Sequence, residues 1–470
     1  LHRIGVGSRI DVLDSQPKRG NALSLLSETA AVFVFRRPIL AKILRNFGWQ
    51  SFDKLFRMGV GVFVSVLITR YLGPDRFGVF SYALAFAGMF TTVAGLGLDR
   101  IVIREISKDF SRKNVILGTA FWMKLAGGVA TFLLILAAIG TLKSRDTLVI
   151  VLTAIFGAAL IFNALDVVDF WFQAQIRSKY PVLARNSAFI LVSFIKVGLV
   201  LASASILSLT LATAAETVFA AAALALAYRW AGNSIRAWKL DRGLARTLLA
   251  ESWPLIISGF AILIYMRIDQ VMLGSLLDDR AVGLYAAAVK FSEIWYFIPM
   301  GISSSVFPVM VDYFKDNPAV FFRKYQNVFN IMVILSMGLA VVMTFASGRL
   351  AVLVYGPQFR DSGPVLAIHI WAGVFVFLGM AASMWTMING YQKFALGASL
   401  AGAAAKVGLN LLVIPAYGIV GAAATMVVSQ AVASYFAYAA SAKTRKVFFM
   451  MTRAIFMPWR FSREDRTEKP

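Results

Sequence analysis

Residues 287–300 read AAVKFSEIWYFIPM. The stretch is apolar enough to lie in lipid, yet Lys290 and Glu293 stand in its middle. A charge at the centre of a lone transmembrane helix costs about 2.5–3.5 kcal/mol on insertion scales, so such residues usually face water or a partner. The two are three apart, about 60° around a helix of 3.6 residues per turn, and so share one face. Alone, they read equally well as a local ion pair lowering its own burial cost and as part of a functional surface.

Outward from this stretch, apolar runs of about 20 residues, long enough to cross a bilayer, recur from residue 47 to residue 440. The 470 residues are 59% hydrophobic and only 15% charged, with a mean hydropathy of +0.73. A soluble domain of this length carries far more surface charge. The runs show no strict alternation, so they read as helices rather than barrel strands. The chain is expected to be an all-α polytopic membrane protein with about twelve spans. These are 47–71, 77–98, 115–140, 147–170, 181–203, 206–229, 253–277, 284–309, 327–347, 364–390, 395–414 and 417–440.

Charge in the connections tests that count. The even-numbered ones carry Arg100, Arg104, Lys108, Arg112 and Lys113, then Arg177 and Lys179, then Arg229, Arg236, Lys239, Arg242 and Arg246, then Lys315, Arg323 and Lys324, then Lys393. The odd-numbered ones are poorer: DR at 75–76, KSRD at 143–146, an uncharged ASASILS, DDR at 278–280, and Arg349 with Arg360. Loops rich in Lys and Arg stay in the cytoplasm, so both termini are expected inside. The net charge of +23 then follows from topology, and no nucleic-acid partner is expected. Basic segments at 1–46 and 441–470, and a linker at 230–252 between lobes 47–229 and 253–440, face anionic headgroups on this reading. The short apolar run TAAVFVF at 29–35 is not read as a secretory leader, and PILAKILRNF at 38–47 reads as an interfacial helix. Cysteine is absent and the only histidines are His2 and His369, so neither a disulfide framework nor a metal centre is expected, and no cofactor.

The second span opens with GPDRFGVFSYALAF (73–86) and the eighth with LDDRAVGLYAAAVKF (277–291), placing Gly78 and Gly283 205 residues apart. SFIKVGLVL in span five and AAAKVGLNLL in span eleven share KVGL, with Lys196 and Lys406 210 apart. The near-equal spacings point to a six-plus-six duplication of parallel repeats about an axis along the membrane normal.

RYLGPDRFGVFSYA (70–83), AGLGLDR (94–100) and IVIREISKD (101–109) resemble the N-terminal half of Wzx-type polysaccharide flippases. These belong to the multidrug/oligosaccharidyl-lipid/polysaccharide (MOP) exporter superfamily. IDQVMLGSLLDDRAVGLYAAAVKFSE (268–293), PVM (308–310), VYGPQF (354–359) and NLLVIPAYGIVGAAAT (410–425) extend the likeness through the second half. The resemblance implies two six-helix lobes forming a V around a central cavity that opens alternately to each side of the bacterial inner membrane. It implies an undecaprenyl-diphosphate-linked oligosaccharide as cargo. Many relatives have fourteen spans, so nothing from an extra pair is carried over.

Near mid-span lie Lys124, Lys196, Arg267, Lys290 and Lys406 against Glu216, Asp269 and Glu293. If they converge, the cavity is cationic and suits a diphosphate, because Arg and Lys donate charge-assisted hydrogen bonds to phosphate oxygens. Arg267 and Asp269, two apart, point to roughly opposite sides, and Arg267 is expected inward. Arg57, in SFDKLFRMG (51–59), either meets the diphosphate, pairs with Asp53, or snorkels to the interface. Asp166 and Asp169 near the inner end of span four read as exposed at the mouth or paired. Trp295, Tyr296, Trp371 and Trp385 are more readily packing residues than sugar platforms. Glu216, Asp269 and Glu293 are candidate sites for a driving H⁺ or Na⁺, since protonation of a buried carboxylate can bias two states. No nucleotide-binding GxxxxGK[ST] motif is present. A polysaccharide polymerase is a further candidate partner. The rival readings are a lipid-linked peptidoglycan-precursor flippase and a multidrug/cation antiporter of the same superfamily. A membrane enzyme is disfavoured by short external connections.

Overall fold

The computed structural model describes the backbone of residues 38–461 and the side chains of 56–461. The basic segment up to residue 37, His2, the side chain of Asp53 and the last nine residues lie outside the described residues. Among the described residues every regular element is helical.

Among the described residues, ten helices are long and apolar enough to cross a membrane. Two of them are hairpins read as one helix. Pro38–Met89 breaks at Gly73 (φ 68°), and the helix Gln392–Ala431 breaks at Gly418 (φ 57°). Both torsions lie where a side chain is strained and glycine is not. The twelve membrane helices are therefore α1 (38–72), α2 (74–89), α3 (Lys113–Leu142), α4 (Thr147–Ala174), α5 (Lys179–Leu201), α6 (Ile206–Trp230), α7 (Arg242–Leu276), α8 (Asp279–Asp316), α9 (Pro318–Tyr355), α10 (Ser362–Ile388), α11 (392–417) and α12 (419–440). They form two six-helix lobes. Helix α7 begins at Arg242, within the stretch 230–252, and the Asp241 side chain accepts from the Leu244 amide.

The lobes meet at the end carrying the odd-numbered connections. One hydrophobic cluster there joins Phe77, Tyr82 and Phe86 of α2 to Leu273 of α7 and Tyr285 and Val289 of α8. Asp75 pairs with Arg280 at 3.6 Å, Gln358 donates to the Arg70 carbonyl at 3.1 Å, and Lys143 donates to the Gly274 carbonyl at 2.5 Å. Toward the other end the cores separate. The first lobe packs Trp171, Tyr228 and Trp238 together, and the second packs Phe321, Tyr325, Phe377 and Trp385.

Helix α8 records this divergence along its own length. From Ala281 to Val289 every residue is buried, whereas from Phe297 to Asp316 only Pro299 and Met310 are. The two halves are divided by a 3-10 turn at Ile294–Tyr296. Helix α7 follows the same pattern, buried continuously from Asp269 to Gly274 and largely uncovered before that. The result is a V closed at the odd-connection end. Ahead of its buried stretch α7 still touches the first lobe, through Phe90 on Phe260 with ring centroids 5.6 Å apart and an ion pair between Arg104 and Glu251.

The segment expected as a basic tail is partly built into the second lobe. Arg445–Phe456 forms a helix, α13, that buries Val447, Met450, Met451 and Ala454. Gln326 and Asn330 of α9 donate to the carbonyls of Met450 and Arg460 at 3.0 and 2.9 Å. Buried amides without such partners would leave polar atoms unsatisfied.

Candidate functional site

The apex of the V is where α8 changes from buried to uncovered, and Lys290 and Glu293 occupy that step. They do not pair with each other. The Lys290 ammonium donates to the Ser65 hydroxyl of α1 at 2.8 Å, crossing from one lobe to the other. It also lies 4.8 Å from the centroid of the Phe77 ring, a cation–π placement. Glu293 pairs with Arg267 of α7 at 3.1 Å. Arg267, Lys196 and Glu293 all lie within electrostatic reach of the Lys290 ammonium.

The first lobe brings a matching group. Glu216 of α6 accepts from Lys196 of α5 at 3.2 Å and pairs with Arg57 of α1 at 3.6 Å. Arg57 is held further by the Asn186 side chain at 3.1 Å and the Arg185 carbonyl at 2.7 Å, and its guanidinium rests 4.9 Å from the Phe189 centroid. Each lobe thus contributes two cations and one carboxylate: Arg57, Lys196 and Glu216 from the first, Arg267, Lys290 and Glu293 from the second. Four positive charges stand against two negative ones around the cleft. Ion pairing leaves donors to spare, since a guanidinium has five N–H groups and an ammonium three.

Two of the expected bases lie elsewhere. Lys124 is 3% exposed, with Asp99 and Asp166 both at 3.9 Å and the Phe170 ring at 4.8 Å. Its neighbourhood is the even-connection end of the first lobe. Lys406 is wholly buried in the second lobe and pairs with Asp269 at 2.7 Å. Asn410 donates to the other Asp269 oxygen at 2.7 Å, and Tyr285 donates to the oxygen that Lys406 holds. The Ala422 carbonyl and Thr425 hydroxyl complete the surroundings of the ammonium at 3.3 and 3.4 Å. Lys406 and Asp269 therefore neutralise one another away from the cleft. Arg267, two residues from Asp269, turns the opposite way, as helix geometry requires. Asp166 and Asp169 both pair with Arg185, at 3.0 and 2.9 Å.

Several polar residues of the site carry no signal in the sequence. Ser65 and Asn186 are short polar residues whose partners lie more than a hundred positions away, and the Arg185 side chain turns back to acids 16 and 19 positions before it. The aromatic candidates divide. Trp385 is buried in the second lobe's core, Trp371 donates to Thr344 at 3.1 Å, and Tyr296 is buried at the α8 turn.

The family model for polysaccharide biosynthesis proteins matches residues 43–314, more than half of the chain. The chain belongs to the polysaccharide biosynthesis protein family. Its fold is that of the MOP superfamily. An inward-facing multidrug resistance MATE family transporter of that superfamily superposes with a TM-score of 0.68 at 15% identity, covering 88% of this chain and 98% of the other. The lipid II flippase MurJ in an inward closed conformation gives 0.67 at 13% identity, over 87% and 91%. An outward-facing MATE transporter gives 0.54 at 13% identity, over 89% and 95%. A search of curated proteins finds no match. The solved structures it resembles are of transporters and a flippase. At these identities they speak for this polysaccharide biosynthesis protein's fold and not for its cargo.

Proposed function

We propose that this protein carries an undecaprenyl-diphosphate-linked oligosaccharide across the bacterial inner membrane by alternating access, for surface polysaccharide assembly. The observation that carries the reading is the meeting of Arg57, Lys196, Arg267 and Lys290 at the apex of the cleft with only Glu216 and Glu293 to balance them. A diphosphate supplies the missing negative charge and accepts from guanidinium and ammonium donors together. The polysaccharide biosynthesis family supports a glycan-linked cargo. The excess of cations disfavours a cationic drug as cargo.

The basic even-numbered connections support a cytoplasmic open end of the V, the side on which the lipid-linked precursor is made. The higher likeness to an inward-facing relative than to an outward-facing one supports the same assignment. Both termini are then cytoplasmic. A gradient of H⁺ or Na⁺ drives the cycle on this reading, with Glu293 and Glu216 as the carboxylates that reach the cleft, and Asp269 tied to Lys406. A polymerase that consumes the exported unit is the expected functional partner.

The likeness to MurJ keeps a peptidoglycan precursor as the second reading, since that cargo shares the diphosphate. A deletion strain separates the two. Lipid-linked glycan repeat units trapped on the inner leaflet, with normal cell-wall synthesis, support the first reading. Cell-wall arrest with normal surface glycan overturns it.

A further inference from the structure

A pocket of about 280 Å³ opens in the first lobe between Arg57, Asp166, Arg185 and Glu216, with Phe162, Asn163 and Thr217 also in its walls. Its charge differs from that of the cleft. Among its lining side chains two guanidiniums face two carboxylates, paired as Arg57 with Glu216 at 3.6 Å and Arg185 with Asp166 at 3.0 Å. Behind them Lys124, 3.9 Å from Asp166, and Asp169, 2.9 Å from Arg185, add one charge of each sign. A balanced wall offers no net attraction to a second phosphate. It offers donors and acceptors side by side, because a paired carboxylate keeps lone pairs and the Asn163 amide and Thr217 hydroxyl carry N–H and O–H groups. Vicinal hydroxyls, each both a donor and an acceptor, match that arrangement.

The backbone prepares the same wall. Helix α4 tightens into a 3-10 run from Leu160 to Asp166. At three residues per turn, side chains three apart eclipse, so Asn163 and Asp166 form one polar edge instead of diverging. Phe162, 43% exposed, adds a flat apolar ring beside that edge. Asn163 and Thr217 donate to no other side chain among the described residues. An aromatic face next to planar polar groups is the surface a pyranose ring meets with its C–H face and its hydroxyl rim.

Glu216 links the pocket to the cleft, holding Arg57 on one side and Lys196 on the other. We propose that this pocket binds the sugar ring joined directly to the diphosphate. The proposal rests on the cleft being the diphosphate site. The structure thereby assigns the two ends of the headgroup to different walls: phosphate to the cations at the apex, sugar to the 3-10 segment of α4.

The test uses the full chain in lipid nanodiscs with three probes: undecaprenyl diphosphate, and the same lipid carrying one glucose or one N-acetylglucosamine. Native protein is expected to bind at least one sugar-bearing probe roughly tenfold more tightly than the bare diphosphate, a difference of about 1.4 kcal/mol. Phe162→Ala is expected to bring that ratio below about threefold. Thr217→Val and Asn163→Ala give the same readout should Phe162→Ala fold poorly. Equal affinities in the native protein, or a ratio that survives all three substitutions, overturns the subsite. Failure of all three probes to bind overturns the diphosphate site itself and the subsite with it.

Discussion

Gly78 and Gly283 cross where α2 meets α8, with no side chain between the two backbones. A Cβ on Gly78 would run into the Asp279 carbonyl oxygen, and one on Gly283 would run into the Pro74 carbonyl oxygen. Each clash lies four residues before the opposite glycine, so the contact is the same seen from either lobe. The Asp75–Arg280 pair spans the same 205-residue spacing one turn away. Small residues allow helices to approach closely in lipid, where dispersion and close packing drive association. This crossing closes the V at its odd-connection end.

Widening that crossing is expected to open it. Gly78→Leu forces a side chain into backbone, and overpacking of this kind costs about 1–3 kcal/mol. The chain has no cysteine, so a reporter pair is clean: Asp75→Cys with Arg280→Cys. The pair is expected to form a disulfide readily in the otherwise native chain and poorly when Gly78→Leu is added. Equal cross-linking in both would mean that the glycines do not hold the lobes together.

The buried pair in the second lobe makes a different demand. Asp269 and Lys406 are each nearly or wholly inaccessible, so removing one charge strands the other. Breaking a buried ion pair from one side costs about 3–5 kcal/mol, whereas replacing both partners is often near neutral. Lys406→Met alone and Asp269→Asn alone are expected to lower the thermal midpoint in detergent, and the double substitution is expected to recover most of the loss. Additive losses in the double variant would show that the two side chains are not coupled.

Lys290 is the cation whose loss should matter most to transport. It joins the lobes through a hydrogen bond to Ser65, and it stands at the apex. Hydrogen bonds to charged groups contribute about 1.5–3 kcal/mol, so Lys290→Gln is expected to weaken binding of undecaprenyl diphosphate roughly tenfold or more. Lys124→Gln, lying outside the apex, is expected to change that affinity less than about threefold, tested by binding titration in nanodiscs. A larger effect from Lys124 than from Lys290 would move the diphosphate site to the even-connection end of the first lobe.

Hydropathy made the twelve spans legible because lipid leaves a helix few alternatives. Hydropathy set the gaps at 72–76 and 415–416, and the structure turns the chain close by, at Gly73 and Gly418. The repeat was legible too, and Gly78 with Gly283 proved to touch. The matched lysines show where spacing stops informing. Lys196 and Lys406 share the KVGL setting, yet one meets Glu216 beside the cleft and the other meets Asp269 inside its lobe. Which of them reaches the cleft depends on acids contributed by other helices, and no local pattern encodes that. Lys290 and Glu293 are three apart on one face, which left a mutual pair and a functional surface equally open. Their closer partners, Ser65 and Arg267, come from α1 and α7.

In the proposed cycle, coupling rests on the carboxylates. Glu293 holds Arg267, and Glu216 holds both Lys196 and Arg57. Protonating either acid, or giving it a sodium ion, releases its basic partners toward a phosphate, so occupancy of the acid and occupancy of the cleft become linked. Glu293→Gln and Glu216→Gln remove the charge while keeping similar side-chain volume. In proteoliposomes, one of the two is expected to abolish the response of transport to an imposed proton or sodium gradient, while diphosphate binding persists or tightens. Asp269→Asn is expected to lower stability without changing the gradient response, because its charge is already spent on Lys406. An unaltered gradient response in both glutamate variants would sink carboxylate coupling at the cleft. Loss of response in Asp269→Asn, with stability intact, would move the coupling site into the second lobe.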